Sequence, residues 1–332
     1  MPIKSATGKP NSTPPDAAPA RKRLSFDEMI IPAANFSGAD STNVLVIGAP
    51  NSKKTLSLRS IPDTWIPWGE TEEKPFRVLY LNADDRAVVI DWSARPNWSV
   101  INLPFEYSSP EEIVQLHKDV MDNLKHTWNP TTKVNNRFDC VIYDSLTPLS
   151  ENMSNYTWTT VRPGERDKGV TVAQWSSGYA GNEDRYGTVS HLLKMFLFGL
   201  RDSVQFFFAI AHEKEPFYAD KKPTFKPDIA GGVKSLLPKL FQEVYYTYMK
   251  NGEWMWLSQP LFQREPRTCY PVPTFLPMDW SIIINRRWKE YYNADADVQF
   301  KAELAAEQEK EAAEMKIALA RATAEEIEGG VE

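Results

Sequence analysis

Residues 43–55 read NVLVIGAPNSKKT. Val44–Ile47 is a short, β-branched apolar run, and such runs form strands covered on both faces, where polar alternation is lost. The run ends at Gly48, and Lys54–Ser60 opens a helical pattern. A strand, a short loop and a helix are the setting of the phosphate-binding loop, which asks for Gly, four residues, Gly-Lys and then Ser or Thr. Gly48, Lys54 and Thr55 match, while Lys53 stands where the second glycine belongs. In this pattern Gly48, Ala49, Pro50, Asn51, Ser52, Lys53, Lys54 and Thr55 wrap the phosphates of a nucleotide. Lys54 reaches the β- and γ-phosphates, and the Thr55 hydroxyl holds Mg²⁺. A side chain at 53 costs about 1–2 kcal/mol if that position is left-handed.

Working outward, strands and helices alternate. Arg77–Leu81, Trp98–Leu103, Phe138–Tyr143 and Val204–Ala211 read as further buried strands. Pro110–His126 carries Ile113, Leu116, Val120 and Leu124 on one helical face, and Thr188–Leu200 is an apolar helix. Phe241–Met249 and Trp254–Gln259 flank Asn251-Gly252, a hairpin turn signal. Continuous apolar strands separated by helices predict an α/β fold, a mostly parallel sheet with helices on both faces. Phe138–Asp144 (FDCVIYD) is an apolar strand ending in an acid, which places Asp144 as the second Mg²⁺ group. That role predicts the strands ending at Gly48 and Asp144 to be neighbours. The second strand runs into Asp84 and Asp85, and either acid is a candidate to orient or deprotonate water.

Composition limits the alternatives. The chain has 332 residues, 42% hydrophobic and 25% charged, enough for a sizeable core. Its longest apolar runs, Met195–Leu200 and Phe206–Ala211, fall far short of the ~18–20 residues that span a bilayer. Two cysteines, Cys140 and Cys269, exclude a disulfide scaffold and fit a reducing, cytoplasmic setting. Gly-x-Ser-x-Gly, His-Glu-x-x-His and the dinucleotide glycine fingerprint are all missing, which argues against a metabolic enzyme. The net charge of −6 is unevenly spread: residues 1–24 carry +4 and residues 301–332 carry −5. The expected organisation is a disordered basic tail over 1–24, a core over 25–290 and an acidic, Ala/Glu-rich helical extension over 291–332.

Taken in order, the loop, LYLNADD, FDCVIYDSLTPL, Tyr186-Gly187, FFFAIAHEKEP and KPDIAGGVKSLLPKLFQEVYYTYM make residues 40–285 resemble the phage RecA-like P-loop ATPases of the AAA type. Those proteins are associated with single-strand annealing and recombination. The resemblance implies a RecA-type core, ATP with Mg²⁺, single-stranded DNA as partner and a homo-oligomer, ring or filament, in the host cytoplasm. It assigns His212 to sensing the γ-phosphate and relaying it to a DNA loop. It also makes Arg264 and Arg267 candidates for an arginine finger acting on a neighbouring subunit.

Beside it stands a reading of the residues themselves. Cations under a backbone and aromatics under bases hold single strands, and Lys214, Phe217, Tyr218, Lys221, Lys222, Phe225 and Lys226 interleave both. Asn155–Gly187 is a second, long connection with Tyr156, Trp158, Arg162 and Trp175. The acidic extension is a candidate mimic of DNA, or a handle for a single-strand-binding or recombination protein. Two alternatives share this core: a nucleotide-gated scaffold without turnover, and a helicase-like motor or loader.

Overall fold

The computed structural model describes residues 41–67, 70–84, 89–103, 108–129, 134–160, 182–214, 225–229, 237–261, 264–270 and 272–291, with isolated positions at 298, 302 and 305; the side chains of 158–160, 182–188 and 289 fall outside the description. The basic head, residues 25–40 and most of the acidic extension therefore lie outside the described residues.

Nine strands form one sheet among the described residues. In chain order they are β1 (Thr42–Gly48), β2 (Val78–Asn82), β3 (Trp98–Asn102), β4 (Cys140–Asp144), β5 (Phe206–Lys214), β6 (Lys226–Pro227), β7 (Glu243–Lys250), β8 (Glu253–Leu257) and β9 (Phe275–Pro277). Their spatial order is β9-β8-β7-β1-β5-β4-β2-β3, with β6 paired to β5. The β7-β1-β5-β4-β2-β3 run is wholly parallel. Within this sheet, among the described residues, antiparallel pairing is confined to β8, β9 and β6. β7 and β8 join through Asn251-Gly252, both at positive φ, 51° and 83°, as a tight primed hairpin turn demands.

The expected adjacency of β1 and β4 is overturned, because β5 lies between them and pairs with both. The apolar pattern of a strand records burial on two faces and carries no information on which strand lies beside it.

β1 is buried along its whole length, and its alternate residues divide between two cores. Leu45 and Ile47 join one cluster, with Val120, Met121, Leu149, Met153, Phe196 and Leu197. Those partners come from α2 (Pro110–Thr127), α3 (Leu146–Thr160) and α4 (Asn182–Arg201). Val44 and Val46 join the other cluster, with Leu58, Trp65, Phe76, Trp280 and Ile282–Ile284. This face is closed by short helices: α1 (Lys54–Ser57), α5 (Trp280–Ile284) and α6 (Trp288–Tyr291). Helices thus cover both faces, as the sequence predicts.

α2 starts where its sequence says it should. Ser109 accepts from the Glu112 backbone N–H while Glu112 reaches back to the Ser109 N–H, and Pro110 sits in the first turn. α3 is a different case. Its sequence, LTPLSENMSNYTWTT, is poor in helix formers, and only Leu146, Leu149 and Met153 mark an apolar face. Packing of that face wins over propensity. The connection expected over Asn155–Gly187 is corrected accordingly: its first and last six residues belong to α3 and α4, and Tyr156 packs on the core. Arg162, Trp175 and their neighbours lie outside the described residues.

Among the described residues no helix is long and apolar enough to cross a membrane.

Candidate functional site

The phosphate-loop sequence is built on the C-terminal end of β1. Gly48 sits where no other residue fits, since a Cβ there would lie 1.8 Å from Thr247 Oγ1 on the neighbouring β7. Thr247 in turn hydrogen-bonds the Ser52 hydroxyl at 2.9 Å, so strand β7 pins the loop. Asn51 and Lys53 both have positive φ, 64° and 58°. Position 53, the helix N-cap, is thus the left-handed residue that the motif fills with glycine. Lysine tolerates that geometry at a cost of about 1–2 kcal/mol.

The Lys54 side chain, 5% exposed, folds back over the loop. Its ammonium donates to the carbonyls of Gly48 (2.8 Å) and Ala49 (2.7 Å) and to Ser52 Oγ (3.3 Å). These are neutral acceptors, and a phosphate oxygen offers a charged and stronger one.

Thr55 Oγ1 donates to Asp144 Oδ2 at 2.7 Å, joining the two motifs across 89 residues. The contact exists although β5 separates the two strands. Tyr80 on β2 donates to the same oxygen at 2.9 Å. Burial holds the Asp144 carboxyl above the usual aspartate range, against the downward pull of the Thr55 and Tyr80 hydrogen bonds. The Asp144–Ser145 peptide is cis.

His212, at the end of β5, donates from Nε2 to Asp84 Oδ2 at 2.9 Å. Its backbone N–H is received by Thr147 Oγ1 at 3.1 Å. His212 Nδ1 is buried with no hydrogen-bond partner among the described residues. Asp84, Asp144, His212, Lys53, Lys54 and Thr55 line one cavity of about 230 Å³ with Asn51, Ser52, Leu56 and Val89. That is below the about 300–1,000 Å³ of a pocket enclosing a whole drug-sized ligand, and suits the phosphate end of a nucleotide. Asp85 lies outside the described residues.

The oxygen pair of Thr55 and Asp144 fits Mg²⁺, which takes one or two protein oxygens and completes its shell with water and substrate phosphates. No cluster of three or more His, Cys, Asp or Glu exists among the described residues, as an all-protein metal cage would need.

The other sequence candidates are placed differently. Arg264 forms a double hydrogen bond with Glu213, 2.7 and 2.9 Å, with side chains 12% and 5% exposed. Its guanidinium lies 3.9 Å above the Phe225 ring. Arg264 is therefore held inside its own chain, and Phe225 lends its face to Arg264. Lys214 pairs with Asp228, while Lys226 is exposed on β6. Arg267 bridges Val244 near the start of β7, at the sheet edge opposite the loop. There it lines a polar cleft with Arg201 and Lys239. Lys221 and Lys222 lie outside the described residues.

Four contributors escaped the sequence reading: Tyr80, Thr147, Glu213 and Thr247. A signal for Tyr80 existed. Even-numbered residues of β2, β4 and β5 (Val78, Tyr80, Cys140, Ile142, Phe206, Phe208, Ile210) share the face on which Leu58, Trp65 and Trp280 pack. Strand parity alone therefore sends Tyr80, Asp144 and His212 to the side of Leu58, just beyond the 48–55 loop.

No protein-family model matches this chain, and no curated protein matches it significantly.

Proposed function

We propose that this chain is a RecA-like P-loop ATPase that binds ATP with Mg²⁺ and works on single-stranded DNA. The observation that carries the proposal is the Thr55–Asp144 hydrogen bond beside the buried Lys54 ammonium: two hard oxygens of the kind Mg²⁺ takes and a cation of the kind phosphate takes line one cavity. Parallel strands with their C-terminal ends converging on that cavity also favour it, since ligands of open α/β sheets bind at that edge.

In this account Lys54 exchanges the loop carbonyls for β- and γ-phosphate oxygens. Thr55 and Asp144 hold Mg²⁺, which when bound neutralises charge on the phosphate oxygens. Tyr80 fixes the rotamer of the Asp144 carboxylate. Asp84 orients the attacking water and accepts its proton, and His212 holds Asp84 in place through Nε2. Because His212 shares β5 with Lys214, loss of the γ-phosphate is felt where the cation-rich 213–234 segment begins. DNA binding rests on the Lys and aromatic interleaving of that segment, and the ring or filament on the resemblance.

The Arg264–Glu213 pairing favours slow turnover, because an arginine spent in its own chain does not reach a neighbour's phosphate. Steady-state phosphate release, with and without single-stranded DNA and with Lys54→Ala as the blank, tests the proposal. Turnover that rises with DNA and disappears in the variant is the expected result. ATP binding without phosphate release in either condition would transfer the site to the nucleotide-gated scaffold. Strand separation by the purified protein would instead make it a motor.

A further inference from the structure

Four non-glycine residues among those described have positive φ: Asn51, Lys53, Asn251 and Arg286. Asparagine at two of them needs no explanation, since it enters the left-handed region readily. Lys53 does need one. It occupies the position where the motif carries glycine, its side chain is exposed, and burial therefore gives it nothing in return. A backbone outlier kept without a packing reward points to function.

The surroundings say which function. Lys53 lines the same cavity as Lys54, Thr55, Asp84, Asp144 and His212. Lys54 is anchored to the Gly48 and Ala49 carbonyls, and Arg264, beside β5, is committed to Glu213. Two carboxylates, Asp84 and Asp144, face the place a polyphosphate would enter. A single lysine leaves such a site short of positive charge for an ATP polyphosphate.

Resting on the nucleotide-binding proposal above, we infer that Lys53 is a second phosphate-binding cation, a substrate-binding residue that supplies within the chain some of the charge that an arginine finger supplies elsewhere. It acts on the polyphosphate and so discriminates by phosphate number, ATP over ADP. The left-handed backbone at 53 is the cost of holding an ammonium at the mouth of the loop.

The test compares the full chain with Lys53→Gly, Lys53→Asn and Lys53→Arg, reading MgATP and MgADP affinity by titration calorimetry and stability by thermal melting. Gly and Asn both suit the left-handed backbone, so both variants melt higher than the wild type. Their MgATP affinity nonetheless falls about tenfold, the loss expected for one charge-assisted hydrogen bond, with a smaller loss for MgADP. Lys53→Arg keeps the ATP affinity. Stability and affinity moving in opposite directions is what a merely tolerated lysine would not produce. If Lys53→Gly binds MgATP as tightly as the wild type or more tightly, the inference is overturned while ATP binding stands. If the wild type binds neither nucleotide, the nucleotide-binding proposal itself fails and takes this inference with it.

Discussion

At the scale of single residues, close approach decides what each position tolerates. Gly48 is required by Thr247 and Ser52, whose hydroxyl oxygens lie 1.8 and 2.8 Å from where a Cβ would stand. We expect Gly48→Ala to destabilise the chain by about 2–3 kcal/mol, since the packed Thr247 and Ser52 side chains must shift, and their mutual hydrogen bond with them, to admit a methyl group. A urea unfolding curve checks the value. A loss under half a kcal/mol would mean that β1 and β7 are not locked as described. That Lys54, Thr55 and Asp144 meet in one cavity was legible in the sequence, because a strand, a Gly-led loop and a second strand ending in an acid follow a fixed spacing pattern. Tyr80 was marked only by its strand parity, and Thr147 was not marked at all, because a hydroxyl in the first turn of a helix has no pattern that names its partner. Arg264 shows the reverse error: its charge reads as a surface feature, yet its guanidinium pairs with the buried Glu213 carboxylate and lies over the Phe225 ring.

At the scale of elements, α2 is tied to β4 by a buried pair. His117 Nδ1 donates to the Ile113 carbonyl at 2.7 Å, so Nε2 must accept from the Tyr143 hydroxyl, also at 2.7 Å. Burial pushes the His117 pKa down from 6.5 to about 4, only partly opposed by the Ile113 hydrogen bond. The folded protein thus resists a proton that the unfolded chain accepts below 6.5. Stability is complete above pH 6.5 and declines as pH falls toward 4, by about 3 kcal/mol over that window. Melting temperatures at pH 7 and pH 5 should differ, and His117→Gln should flatten the difference. An equal drop in both proteins would remove His117 as its source. The sequence marked α2 clearly, with its capping residues and one apolar face. It did not mark α3, whose helical state depends on contacts from α2 and α4 rather than on its own composition.

At the scale of the whole molecule, one mostly parallel sheet explains why distant segments meet. The C-terminal ends of β1, β2, β4 and β5 lie along one edge, and parity puts Tyr80, Asp144 and His212 on one face of it. Fold class was readable from apolar runs alternating with helices, because burial on both faces writes itself into composition. Strand order was not. The insertion of β5 between β1 and β4 is set by side-chain fit across the two cores, which no local pattern encodes. That insertion carries His212 between the loop after Gly48 and Asp144.

The most direct measurement is calorimetric titration of the full chain with ATP, in Mg²⁺ and in chelator, repeated with Lys54→Ala. Saturable binding with a stoichiometry near one per chain, weakened by chelator and lost in the variant, is the result predicted by a site built from Lys54, Thr55 and Asp144. Binding that is absent, or that survives Lys54→Ala unchanged, would contradict it.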